Sequence, residues 1–325
     1  MRAVVHETFG EPEDVLTVAE RPTPEPGPGQ VRVRTLLATI HNHDLWTVRG
    51  TYGFVPELPA ASGTEAVGVV DALGEGVDSL AVGDRVITGG TFGAWAEHFV
   101  ADASSLIPAP DGLPDEAAAQ LVAMPFSAVS LLHDLDLEPG QWIVQNAANG
   151  AVGRMVAQLA EARGVHVVGL VRRAAAIDEL REAGIERIVA TEGDDWREQV
   201  TAITGGAPIV AGVDSVGGAS AGDVLSVLGE GGTLIAFGAM DSPVLELRSG
   251  DLIFKQATVR GFWGAVVSRT MDAATRQALF GELAERIGQG VLTLPVSGIH
   301  AFEDVRDAVR ASMTAGRVGK VLLRP

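Results

Sequence analysis

The chain has no cysteine and only one tyrosine among its 325 residues. Without cysteine it can form neither a disulfide nor a thiolate metal site, which is compatible with the cytoplasm. Basic residues are also few, since 24 Lys and Arg stand against 42 Asp and Glu, a formal net charge of −18. This excess of negative charge argues against nucleic acid or an anionic membrane as a partner. No apolar run is long enough to predict a membrane span, and the first residues lack the apolar core of a signal peptide. We therefore expect a cytoplasmic protein.

Glycine is abundant, with 40 residues, and the chain is 46% hydrophobic and 20% charged, as globular proteins are. The length predicts about two domains. Short β-like runs broken by turns fill the N-terminal third, whereas strands and helices alternate in the middle of the chain. Such alternation predicts the α/β class with a doubly wound parallel sheet. The candidate parallel strands are 141–145, 165–171, 187–190, 209–215 and 232–237.

The most informative segment is 141–153, which is typical of a buried strand, a tight turn of small residues and the start of a helix. Gly150 would let the backbone approach a pyrophosphate, and Gly153 would let the helix lie close to the sheet. The helix N-terminus offers N–H groups to anionic oxygens. Ala148 replaces the first glycine of the Gly-x-Gly-x-x-Gly pattern, so a βαβ crossover without a ligand is the alternative. The cofactor-binding residues predicted here are Asn149, Gly150, Ala151, Val152 and Gly153.

Arg172 and Arg173 stand at the end of the next predicted strand, where a dinucleotide site usually has an acidic residue. A carboxylate at this point would hold a ribose 2′-hydroxyl, whereas an arginine pair would attract a 2′-phosphate. The pair therefore predicts NADPH rather than NADH. A solvated pair at a helix N-terminus is the alternative.

Several strings resemble the medium-chain dehydrogenase/reductase superfamily, and the resemblance covers essentially the whole chain. They are Gly-Asp-Arg-Val at 83–86, Gly-Ala-Trp-Ala-Glu-His at 93–98, Asp-Ser-Val-Gly-Gly at 214–218 and the segment 316–323. The resemblance implies a β-rich, chaperonin-10-like catalytic domain made of residues 1–115 and 266–325. An NADPH-binding Rossmann domain, residues 116–265, would be inserted into it. The resemblance also implies a homodimer that pairs edge strands of the Rossmann sheet near 232–237 and 257–262.

Zinc alcohol dehydrogenases of this superfamily carry Cys-x-x-Asp and Gly-His-Glu at the catalytic metal. Here the corresponding residues are His41-Asn42-His43-Asp44 and Gly63-Thr64-Glu65. Threonine is a poor zinc ligand, and no sulfur ligand remains. His41 and His43 could still recruit a metal with Asp44 or Glu65, but we predict no metal site. Without a Lewis acid, alcohol dehydrogenation is disfavoured, and hydride transfer to an electrophilic conjugated carbon remains feasible.

Tyr52 lies in segment 50–60, which resembles the segment that carries the catalytic tyrosine of trans-2-enoyl-thioester reductases, a zinc-free branch of the superfamily. Segments 145–149 and 260–263 resemble the same branch. A phenol is protonated at neutral pH and can supply a proton to an enolate. We therefore predict Tyr52 as the leading catalytic residue, with His43 and His41 as other candidate donors. Packing of Tyr52 in the pocket wall is the alternative.

The sequence therefore predicts an NADPH-dependent, zinc-independent reductase that transfers hydride to a conjugated carbonyl or acyl thioester. A quinone oxidoreductase, an NADPH-binding sensor or structural protein and a residual metal-dependent alcohol dehydrogenase are the alternatives. Six further residues are weaker candidates for contact with the cofactor. Aromatic residues near the end of a sheet usually belong to the core, and a lysine in a terminal strand is usually solvated. These contacts are Val216, Phe237, Gly238, Phe262, Trp263 and Lys320.

Overall fold

A computed structural model describes residues 1–314 and 316–325 of the chain. The strands of these residues are β1 (Arg2–His6), β2 (Thr17–Glu20), β3 (Gln30–Thr39), β4 (Ala60–Ala61), β5 (Ala66–Leu73), β6 (Arg85–Thr88), β7 (His98–Asp102), β8 (Ile107–Pro108), β9 (Trp142–Gln145), β10 (His166–Val171), β11 (Ile188–Ala190), β12 (Ile209–Asp214), β13 (Thr233–Ala236), β14 (Thr258–Gly261), β15 (Val296–Ala301) and β16 (Lys320–Arg324). The α-helices are α1 (Pro12–Val15), α2 (Asn42–Arg49), α3 (Asp115–Ala118), α4 (Ala123–Asp134), α5 (Ala151–Ala162), α6 (Ala175–Glu182), α7 (Trp196–Thr204), α8 (Gly218–Ser226), α9 (Ser249–Lys255), α10 (Gly264–Thr270), α11 (Ala273–Gly288) and α12 (Val305–Met313).

The chain folds as two compact units, of which the first contains residues 1–124 and 294–325. Its larger sheet has the order β15-β16-β3-β5-β6-β8, with β7 also paired to β3, and its smaller sheet has the order β2-β1-β4. Strand β3 alternates because Val31 and Val33 point into the core while the arginines between and after them are partly or fully exposed. The core of this unit packs around the fully buried side chains of Trp95 and Phe302.

The second unit, residues 125–293, is built on a six-stranded parallel sheet with the order β11-β10-β9-β12-β13-β14. Numbered within this unit, the order is 3-2-1-4-5-6, which is that of a doubly wound dinucleotide-binding sheet. The predicted α/β class and the five predicted parallel strands are confirmed, each within a residue or two. Strand β14 adds a sixth.

One predicted edge strand is not at an edge. Strand β13, which covers most of the segment 232–237, is hydrogen-bonded on both sides, to β12 and to β14. Only β14 of the two segments named from the resemblance lies at the edge of the sheet. The prediction for 232–237 is therefore wrong, because the last strand continues the parallel order past β13.

The limits of the two units differ from the predicted domain limits. Helix α11, which falls in the predicted catalytic domain, belongs to the second unit, where Phe280 stacks on Phe126 with ring centroids 4.5 Å apart. Glu282 of the same helix pairs with Arg163 at 2.6 Å. These contacts join residues more than 100 positions apart, which local sequence patterns do not encode.

Among the described residues, no helix combines the length and the apolar composition that a membrane span requires.

Candidate functional site

In the second unit, the predicted cofactor residues follow the carboxyl ends of neighbouring parallel strands. In open α/β sheets, this edge is where ligands bind. The turn after β9 and the first residues of α5 carry 149–153, the turn after β10 carries Arg172 and Arg173, and Val216 follows β12. Phe237 and Gly238 follow β13, and Phe262 and Trp263 follow β14. The sheet order therefore brings all the predicted cofactor residues of this unit to one edge.

The turn after β9 is shaped by close backbone contacts. A Cβ atom added to Gly153 would lie 2.7 Å from the carbonyl oxygen of Ala147 and 2.9 Å from the Cα of Ala148. Gly153 is thus needed for helix α5 to approach the turn. Ala148 is buried, and its methyl group would lie 2.7 Å from a Cβ added to Gly169 of β10. The missing glycine of the motif is therefore matched by a glycine on the neighbouring strand.

Helix α5 begins after Gly150, and no side chain caps its N-terminus. The first N–H groups of an α-helix have no partner within the helix and attract anionic oxygens. The turn thus has the backbone geometry and the donors that a pyrophosphate requires.

A buried polar network ties this turn to the loop after β12. The side-chain amide of Asn146 donates to Asp214 and to the hydroxyl of Ser220, and its carbonyl accepts from the N–H of Ser215 at 2.7 Å. Asp214 also accepts from the N–H groups of Val216 and Gly217, each at 3.1 Å. Sequence reasoning gave Asn146 and Asp214 no role. The only signal was that both occur in the strings that resemble the superfamily.

Arg172 and Arg173 are exposed. Among the described residues, no carboxylate forms an ion pair with either of them, although most other arginines of the unit are paired. The nearby carboxylate of Glu192 instead accepts from the N–H of Ala174 at 3.0 Å. The end of β10 therefore offers two unneutralised cations to an anionic ligand.

Aromatic residues lie after β13 and β14. The rings of Phe237 and Phe262 stack with centroids 5.7 Å apart, and Phe262 is buried while Trp263 is 46% exposed. A Cβ added to Gly238 would lie 2.9 Å from the carbonyl oxygen of Ser215, so the backbone approaches closely here. Aromatic side chains thus follow the last two strands at this edge of the sheet.

In the first unit, His41 and Glu65 form a fully buried pair. Nε2 of His41 lies 2.5 Å from Oε2 of Glu65, and Oε1 of Glu65 accepts from the N–H groups of Val122 and Ala123 at 2.5 and 2.9 Å. Burial raises the pKa of Glu65 to about 8 and lowers the pKa of His41 well below its usual value. Burial therefore favours the neutral forms of both groups. Its complete burial leaves His41 no direct contact with a substrate in this structure.

His43, Thr64 and Asp44 form a second chain of hydrogen bonds. Nε2 of His43 lies 2.7 Å from the hydroxyl of Thr64, which donates to Oδ1 of Asp44 at 2.7 Å. Oδ2 of Asp44 accepts from the backbone N–H of His41 at 2.9 Å. Burial is the main cause that lowers the pKa of His43. Thr64 and Asp44 are both buried, so these hydrogen bonds fix the orientation of the His43 imidazole.

Tyr52 is partly buried and stacks on the ring of His43, with centroids 5.7 Å apart and planes at 30°. His43 also stacks on His41, with ring centroids 5.0 Å apart. Phe54 stacks instead on Phe92 at 4.1 Å. The structure therefore brings all three predicted catalytic residues, Tyr52, His43 and His41, into one column of rings.

Lys320, on β16, is buried and interacts electrostatically with His41, His43, Asp44 and Glu65. Burial and the charge of Arg317 lower the pKa of Lys320 to about 8. The lysine is thus largely protonated at neutral pH. In the described part of the chain, no group of three or more His, Cys, Asp or Glu side chains is arranged to hold a metal ion.

Two family models match the chain. Residues 27–111 match the alcohol dehydrogenase GroES-like domain, and residues 151–279 match the zinc-binding dehydrogenase family. The first match confirms the predicted chaperonin-10-like domain. The second lies outside 41–44 and 63–65, the segments that correspond to the metal-binding strings of the zinc enzymes.

Similar proteins include the mitochondrial enoyl-[acyl-carrier-protein] reductase of Xenopus tropicalis, which is 32% identical over 96% of this chain and 92% of the relative. Among solved structures, a mycobacterial protein complexed with NADPH is 28% identical with a TM-score of 0.89, over all of both chains. The Escherichia coli quinone oxidoreductase complexed with NADPH is 25% identical with a TM-score of 0.90, also over all of both chains.

Proposed function

Because the chain belongs to the zinc-independent branch of the medium-chain dehydrogenase/reductase superfamily, we propose that it is an NADPH-dependent reductase of conjugated carbonyl compounds. Enoyl thioesters are the first substrate class. The observation that carries this choice is the column of rings in which Tyr52 lies over His43, above a buried cluster in which Thr64 stands where zinc relatives have a histidine ligand. The column offers a proton donor and no Lewis acid, which suits an acceptor that is already electrophilic.

We assign cofactor binding to the second unit. The turn from Asn149 to Gly153 would hold the pyrophosphate on the N-terminus of α5, and Arg172 and Arg173 would hold the 2′-phosphate. Val216, Phe237, Gly238, Phe262 and Trp263 would wall the nicotinamide. When bound, NADPH supplies a hydride.

The residues of the first unit would stabilise the enolate and supply or position the proton donor. As hydride reaches the β-carbon of the acceptor, negative charge moves to the carbonyl oxygen, where a hydrogen bond from the hydroxyl of Tyr52 stabilises the enolate. A proton from Tyr52 or water then reaches the α-carbon and completes the reduction. His43 orients the phenol ring, and His41 with Glu65 forms the buried support beneath it.

A quinone oxidoreductase is the second candidate, since the similar protein of Escherichia coli bears that name and superposes over the whole chain. Quinones accept hydride without a positioned proton donor at carbon. This reading therefore requires no catalytic role for Tyr52.

NADPH oxidation measured in parallel against crotonyl-CoA, a 2-alkenal and a quinone tests the proposal. We expect the highest kcat/KM with crotonyl-CoA. Turnover of the quinone alone would favour the second candidate, and tight NADPH binding without turnover of any acceptor would favour an NADPH-binding sensor or structural protein.

We also propose a homodimer formed through β14 of the second unit. This strand is the free edge of the parallel sheet, and edge strands readily pair with a further strand. Beside it in sequence, α9 carries Ile253 and Phe254, which are 65% and 84% exposed. A dimer mass in solution scattering, converted to a monomer mass by Phe254→Glu, would support this. A monomer mass for the parent protein would contradict it.

A location in the cytoplasm is proposed as well, since a chain without cysteine gains nothing from an oxidising compartment. Several relatives are named as mitochondrial. Fractionation of the source cells decides between the two locations.

A further inference from the structure

Thr64 lies between a partly exposed imidazole and a buried carboxylate. Its hydroxyl oxygen is 2.7 Å from Nε2 of His43 and 2.7 Å from Oδ1 of Asp44. Thr64 and Asp44 are 4% and 2% exposed, so water does not compete for these bonds. Thr64 therefore determines which partner the imidazole has at Nε2.

A hydroxyl has one hydrogen to donate and lone pairs to accept with. Burial raises the pKa of Asp44, but its two oxygens accept from Thr64 and from the backbone N–H of His41, which is the pattern of an ionised carboxylate. The hydrogen of Thr64 is thus directed to Asp44. The hydroxyl must then accept from an N–H at Nε2 of His43.

We propose that Thr64 and Asp44 are positioning residues that hold neutral His43 with its proton on Nε2. The nitrogen that remains to accept a hydrogen is then Nδ1. Such a ring can accept a hydrogen bond at Nδ1 but cannot donate one there. For the reduction proposed above, on which this consequence rests, Tyr52 and not His43 is the proton donor.

The groups around His43 favour the neutral ring. Burial lowers its pKa, and the positive charge of Lys320 lowers it further, while Asp44 opposes them. His41, which also stacks on the ring of His43, has an even more strongly lowered pKa and adds no positive charge at neutral pH. These groups thus favour a neutral His43 ring, on which Tyr52 stacks.

The alternative arrangement makes the proposal testable. If Asp44 were protonated, it would donate to Thr64, and Thr64 would donate to Nε2 of His43. The proton of the neutral ring would then reside on Nδ1, and His43 could act as an acid. The two arrangements share their heavy-atom positions and differ only in the tautomer of the imidazole.

The tautomer is read directly by nitrogen NMR of protein labelled with ¹⁵N-histidine, with the signals of His43 assigned by their loss in His43→Asn. We expect the Nε2–H pattern in the parent protein and in Thr64→Ser, which keeps the hydroxyl. In Thr64→Val, which has nearly the same shape, we expect a mixture of tautomers. A parent protein with the proton on Nδ1, or a spectrum that Thr64→Val leaves unchanged, would overturn the proposal.

Thr47→Val is the matched control. The hydroxyl of Thr47 donates to the backbone carbonyl of His43 at 2.8 Å and does not touch the ring. This variant removes a hydroxyl from the same region and should leave the tautomer as it is. A tautomer change as large as that of Thr64→Val would show that loosening of α2 is responsible, and would overturn the role of Thr64.

Kinetics separate this inference from the proposed function. With crotonyl-CoA, Thr64→Val should lower kcat with little change in the KM for NADPH, and Thr64→Ser should restore kcat. If no acceptor is reduced by the parent protein, the proposed function fails, while the NMR result still decides the tautomer.

Discussion

The two units use their polar residues in opposite ways. In the second unit, Arg172 and Arg173 are exposed, charged and without ion pairs among the described residues. In the first unit, His41 and Glu65 are completely buried, and burial favours the neutral form of each. The first arrangement leaves positive charge available to a ligand from solvent, whereas the second holds its polar groups in buried hydrogen bonds next to His43, on which Tyr52 stacks.

This difference indicates a division of labour. Affinity for the cofactor depends on charges and helix N–H groups that are available before the ligand arrives. Proton transfer depends instead on groups whose orientation is fixed by buried hydrogen bonds. Variants of the second unit should therefore change binding, and variants of the first unit should change turnover.

The largest effect is expected for Tyr52→Phe, which removes the proposed proton donor and keeps the ring. With crotonyl-CoA, kcat should fall about 10²- to 10⁴-fold, the range of general acid catalysis. Fluorescence titration should give an unchanged Kd for NADPH. An unchanged kcat would remove Tyr52 from the catalytic role and favour its place as a pocket wall.

The double variant Arg172→Ala with Arg173→Ala should have the opposite effect to Tyr52→Phe, with weaker cofactor binding and unchanged turnover. Loss of two charge-assisted hydrogen bonds should weaken NADPH about 100-fold and NADH far less. Turnover at saturating NADPH should persist. Arg181→Ala is the control, because Arg181 is another exposed arginine of the same unit, on α6. Equal weakening of both cofactors would contradict the 2′-phosphate assignment.

Replacements of Glu65 test whether its buried carboxyl group is neutral in the folded protein. In Glu65→Gln, the oxygen can still accept from Val122 and Ala123, and the amide can donate to His41, so unfolding free energy at pH 7 should be preserved. Glu65→Ala leaves these groups unpaired and should cost about 1–3 kcal/mol. Urea denaturation measures both variants.

The pH dependence of Glu65 has a definite sign. Its pKa is raised from 4.5 to about 8 on folding, so the folded state binds more protons between these pH values. The parent protein should therefore lose stability as pH rises through this window, and Glu65→Gln should lack this component. If Glu65→Gln is as damaging as Glu65→Ala, the carboxyl is ionised in the folded protein.

The comparison also explains what the sequence could predict. The cofactor residues of the second unit could be predicted because short segments of sequence carry them. These segments are the strand, turn and helix start at 141–153 and the arginine pair one strand later. The tyrosine of the first unit was found through the resemblance of 50–60. Hydrogen bonds within the cleft wall were expected for Thr64 and Glu65, but their partners were not identified, because these lie 20 or more residues away in the chain. Contacts between residues far apart in the chain also explain why α11 lies in the second unit and not in the predicted catalytic domain.

The most direct test of the proposed function follows the hydride itself. Crotonyl-CoA is reduced with NADPH that carries deuterium at C4 of the nicotinamide, and mass spectrometry or NMR locates the label in the product. The account predicts one deuterium on the β-carbon and a solvent proton on the α-carbon. Oxidation of NADPH by a quinone, with no label transferred to the thioester, would contradict it.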